Sequence, residues 1–116
     1  MVQLTLQLPD DLAVRIQALD RWLPAILKLS LLGFKTVATA SATELLEFLL
    51  HNPSPQEFLR FYVSDQAQER SCRLLALNAA GLLSEAEQAE LDELERLEHL
   101  VIMLKAQVAK QLQSQP

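Results

Sequence analysis

The sequence predicts a mainly α-helical fold: one short N-terminal β-strand, then about five helices, the last of them long, acidic and amphipathic. Three observations carry this. Leucine (26) and alanine (14) dominate the 116 residues while aromatics make up 5%, a balance that favours helices over a β-sandwich. Helix-start signatures recur at Ser41, Ser54, Ser64 and Ser84, since a serine hydroxyl can accept from the unpaired N–H groups of a first turn. Only residues 2 to 8 alternate with the period of a strand. With 50% hydrophobic and 22% charged residues the chain is too apolar for disorder. Its length suits one domain that buries roughly two thirds of its unfolded surface. That single domain, residues 1–116, divides into a strand–helix–helix dimerisation module (2–35), a run of short helices (36–83) and the long helix (84–113).

The strand is VQLTLQL, with Val2, Leu4, Leu6 and Leu8 on one face and Gln3, Thr5 and Gln7 on the other. Pro9, Asp10 and Asp11 then open a helix, because proline suits the first turn and carboxylates suit the positive end of the helix dipole. Leu12, Ile16, Leu19 and Leu23 make one stripe at spacings of four, three and four. Pro24 starts a second helix, running to Gly33, that is apolar nearly all round except for Lys28 and Ser30.

In the middle, Ser41 and Glu44 have the spacing of a capping box ahead of Leu45, Leu46, Phe48, Leu49 and Leu50, and His51-Asn52-Pro53 stops that helix. Ser54-Pro55-Gln56-Glu57 has the spacing of a second box. Ser64 caps a helix through Cys72, Leu74 and Leu75 to Ala80, closed by Gly81 as a left-handed cap. Ser84-Glu85-Ala86-Glu87 opens the last helix. There Leu94, Val101 and Val108 recur every seven residues, and Leu97 and Leu104 sit three after the first two. That is an a/d seam of about two heptads.

A lone strand leaves unpaired backbone groups, and an all-apolar helix needs cover on most sides. One solution answers both: two chains pair their strands and pack their second helices. The expected dimer interface is Leu4, Leu6 and Leu8 with Ile26, Leu27 and Leu31.

The chemistry excludes most enzyme classes. Nucleophilic catalysis needs a nucleophile, a base and an orienting acid, yet the only imidazoles are His51 and His99 and the only thiol is Cys72. His51 reads as a helix C-terminal partner, His99 as an ion-pair partner of Glu95 four residues back, and Cys72 as a small buried hydrophobe. These three match no zinc spacing. Glycines only at 33 and 81 allow no phosphate loop. No catalytic residue, metal or cofactor is expected. The most apolar stretch, residues 22 to 34, is interrupted by Pro24 and Lys28 and falls short of the ~20 needed to span a bilayer. No signal-peptide pattern leads the chain. A cytoplasmic protein is therefore expected.

The order strand, Leu-Pro-Asp-Asp, amphipathic helix, turn, apolar helix in VQLTLQLPDDLAVRIQALDRWLPAILKLSLL resembles the ribbon-helix-helix family, which includes the DNA-binding halves of many antitoxins. The run GLLSEAEQAELDELERLEHLVIMLKAQ looks like the tail of small, antitoxin-like bacterial proteins common in cyanobacteria. The family resemblance implies a paired ribbon whose Gln3, Thr5 and Gln7 would enter the major groove, residue types able to read adenine or a thymine methyl. Asp20-Arg21-Trp22-Leu23-Pro24 replaces the family's usual Gly-Ser/Thr turn, and no ribbon residue is basic.

Charge ranks the functions. The net charge is −5, divided as +1 over residues 1–35, −2 over 36–83 and −4 over 84–116. DNA affinity comes largely from basic surface and counterion release, so a DNA-binding repressor ranks third. The leading expectation is an antitoxin-like, partner-binding homodimer that holds a basic protein such as a toxin or nuclease. Glu90, Glu95 and Glu98 would steer that partner, and Leu94, Leu97, Val101 and Leu104 would anchor it. The alternative is a structural helical oligomer whose seam is used up internally; burial of Leu97 and Leu104 in the free chain separates the two.

Overall fold

The structure is a computed structural model that describes residues 2–114. Within that range six helices and no strand are formed: α1 (Asp10–Gln17), α2 (Leu23–Leu31), α3 (Thr39–Leu50), α4 (Pro55–Leu59), α5 (Asp65–Ala79) and α6 (Glu85–Gln113). The expected β-strand is absent. Residues 2–8 form no backbone hydrogen bond, and Leu4 and Leu6 are 85% and 74% exposed. Alternation gives a segment two faces, but a strand exists only where a second strand takes up its N–H and C=O groups. No other segment of this chain alternates, so residues 2–8 stand out as an arm.

The helix boundaries follow local chemistry with two departures. Ser54 and Ser64 accept from the N–H groups of Glu57 and Ala67, and Ser84 with Glu87 forms a complete capping box. Gly81 takes a φ of +72° after α5, a conformation that glycine adopts without strain. Ser41, however, is not a cap. α3 already begins at Thr39, and Ser41 lies inside it, buried. The preceding turn is organised by Thr36, whose Oγ1 accepts from the N–H of Ala38. The Leu12–Leu23 stripe also breaks, because α1 ends at Gln17 and Leu23 belongs to α2.

The core lies where α2, α3 and α4 pack on the middle of α6. Trp22, Ala25 and Leu29 meet Leu45 and Leu49 of α3, Phe58 of α4, and Leu97, Leu100 and Leu104 of α6. Phe58 is fully buried, with its ring centroid 4.8 Å from that of Trp22. The Trp22 Nε1–H donates to the Pro53 carbonyl at 2.8 Å, which satisfies a polar group that would otherwise be costly to bury. Glu93 fastens the other side. The Lys35 N–H donates to both of its carboxylate oxygens (3.2 and 3.0 Å), and Thr36 adds its N–H (3.1 Å) and hydroxyl (2.8 Å). Burial pushes the Glu93 carboxyl up, but these donors outweigh it and hold the group below its ordinary range.

The molecule is elongated. Its radius of gyration is 16.5 Å, above the roughly 13 Å of a compact chain this long. α6 alone, at 29 residues, is about 43 Å from end to end. α1 buries no residue.

Candidate functional site

α5 and α6 are held together at one point and stand apart beside it. The Arg70 guanidinium donates to both carboxylate oxygens of Glu90, at 2.8 and 2.9 Å, a two-point fit that fixes register as well as distance. The bond to Glu90 raises the Arg70 pKa. Leu74 drops into the contact and is fully buried. Leu75, one residue on and about 100° round the helix, cannot share that contact and is 49% exposed. Cys72 is exposed too, contrary to its expected burial, because the face turned to α6 is set by Arg70 and Leu74.

Beside this contact a groove of about 450 Å³ runs along α6. Phe61 and Val63 wall it from the α4–α5 connection, Leu75 and Cys72 from α5, and Val101 and Ile102 from α6. Lys105 closes one end, where its Nζ donates to the Phe61 carbonyl at 2.7 Å and lies 4.4 Å from the Tyr62 ring centroid. An ammonium over a ring face is attracted by the ring quadrupole, which steadies this end wall.

The structure sorts the residues expected to bind a partner. Leu94, Leu97, Val101 and Glu98 all line the groove. Leu97 is nevertheless 3% exposed and Leu104 is 6% exposed, so the deep half of the seam is already used inside the chain. Glu90 is tied to Arg70. Glu95 lies elsewhere, in a cleft of about 640 Å³ between α2 and α6 with Leu31, Asp92 and Met103. His99 lines that cleft but makes no ion pair with Glu95; Arg70–Glu90 is the ion pair found among the described residues.

The expected dimer residues divide as well. Ile26 packs against the chain's own core. Leu8 is half-buried, while Leu27, Leu31, Leu4 and Leu6 remain exposed. Gln3, Thr5 and Gln7 are exposed on the arm. Sequence reasoning missed Phe61, Val63, Leu75 and Ile102 as groove residues. The adjacent pair Leu74-Leu75 was the available signal, since two neighbouring leucines on a helix cannot both enter one contact.

The His51 Nδ1–H donates to the Glu47 carbonyl, 2.6 Å away, as a helix C-terminal partner. Among the described residues no three His, Cys, Asp or Glu side chains group as a metal site, and no helix is long and apolar enough to cross a membrane. No family model, curated protein or solved structure matches the chain.

Proposed function

We propose that this chain is a non-enzymatic interaction protein whose task is to join protein subunits, its own copies first, through the groove between α5 and α6. One observation carries the reading: an open, apolar groove is held in fixed shape by the Arg70–Glu90 and Lys105 contacts. Concave apolar surface bounded by a few polar groups is what protein segments bind. Burial of Leu97 and Leu104 favours self-association over a regulator anchored on the whole seam, because those side chains have no surface left to offer.

The test is sedimentation equilibrium of the full chain at micromolar concentration. Leu75→Asp and Ile102→Asp change exposed groove positions, so helical circular dichroism is expected to stay unchanged while association is lost. Variants that associate like the wild type would sink the reading.

A second reading, an antitoxin-like regulator of a basic protein, is favoured by Asp92, Glu95 and Glu98, which stay exposed on α6. It expects Glu95→Gln with Glu98→Gln to slow capture of a basic partner at low salt and to flatten its salt dependence. Salt-independent capture by the native chain would dismiss it.

A further inference from the structure

We propose that residues 2–8 of one copy lie in the α5–α6 groove of a second copy, which returns its own arm, so that each groove is completed by its partner. This rests on the groove being the joining site and names what fills it. The arm binds as an extended segment laid into a groove, not as a paired strand.

Four observations point to this occupant. In the single chain the arm lies off its own groove, with Val2, Leu4 and Leu6 among the most exposed large apolar residues of the molecule. The arm's pattern gives one apolar face for the groove and one polar face, Gln3, Thr5 and Gln7, for water. Its charge fits: residues 2–8 carry none. The groove's charged lining residues are one of each sign, Glu98 and Lys105, and Lys105 is already engaged by Phe61 and Tyr62. An acidic segment would find the groove's one cation already engaged; a neutral one needs no counter-ion.

Size agrees as well. From Leu94 to Lys105 the groove follows α6 for about 17 Å; residues 2–8 extended cover about 20 Å, so Leu4 to Leu8, about 13 Å, lie within it and Val2 reaches past its end. Thirteen residues of the groove lining keep surface to offer, Ser41 and Leu97 being buried, and seven form the arm. Reciprocal exchange thus places about twenty residues of each subunit in the interface, at the lower end of the roughly 20–30 per side of a stable protein contact. Returning the arm closes the pair with two-fold symmetry and leaves no open groove to propagate a fibre.

Cys72, the sole thiol, sits in the groove wall and supplies the test. In the full chain carrying Leu6→Cys, mild oxidation is expected to give a disulfide-linked dimer on a non-reducing gel, well above the wild-type chain with Cys72 alone. A link within one chain, or none beyond the wild type, overturns the proposal. Independently, Leu4→Asp with Leu6→Asp is expected to weaken dimerisation roughly a hundredfold or more, as two buried leucines are lost, with helicity unchanged. Should these arm variants associate normally while Leu75→Asp and Ile102→Asp do not, the groove reading survives and the arm assignment falls. If neither set matters, both fall.

Discussion

Residues 2–17 and α6 both carry apolar side chains on a regular repeat, yet they end in opposite states. α6 buries seven residues and is the surface on which α2, α4 and α5 assemble. The arm is exposed along most of its length, and α1 buries nothing. The difference lies in what stands opposite. α6 has three helices to receive its stripe; the arm's period-two face has no counterpart in the same polypeptide. A periodic pattern therefore states that a face should be covered, and only the rest of the chain decides whether the cover is intramolecular.

The contrast can be broken most forcefully in the core. Phe58→Ala removes a fully buried ring that contacts Trp22 and Phe48, and is expected to cost about 3–5 kcal/mol in urea unfolding. A loss under 1 kcal/mol, on the scale of an ordinary surface change, would mean that the bundle is not the stable half.

Next is Glu93. Glu93→Ala leaves the Lys35 and Thr36 N–H groups without their acceptor and is expected to cost about 2–3 kcal/mol at neutral pH. The folded carboxyl titrates below its ordinary value of 4.5. Its contribution is therefore whole above that value and fades as pH falls through the lower, folded pKa. Unfolding measured across that acidic range is expected to show wild type and variant converging; a constant gap would deny Glu93 this role.

The smallest effect belongs to the arm. Leu4→Asp with Leu6→Asp is expected to leave the dilute, unassociated chain within about 0.5 kcal/mol of wild type, since neither side chain is covered there. A larger change would mean that the arm packs on its own subunit.

How much of this was legible follows from distance along the chain. The caps at Ser54, Ser64 and Ser84 and the break at Gly81 could be read because donor and acceptor lie three residues apart or one residue decides the backbone. Ser41 shows the limit: the same spacing occurs inside a helix whose start is set by Thr36. Glu90, expected to steer a partner, and Glu93, one more acid of the long helix, could not be placed from the sequence because their partners, Arg70 and the Lys35–Thr36 turn, lie 20 and nearly 60 residues away. The strand failed for the same reason, as its alternation was local and its partner was not. The groove was half legible: Leu94 and Val101 announced themselves by heptad spacing, but Leu75 and Phe61 enter only through the way α5 and α4 meet α6.

Trp22 has a practical consequence. It is the sole indole in the protein, enclosed at the joint between α2 and the α3–α4 bend and bonded to Pro53. Its intrinsic fluorescence is thus a built-in gauge of that joint alone: shifted to the blue when the bundle closes, red when it opens, and blind to whatever the first eight residues are doing.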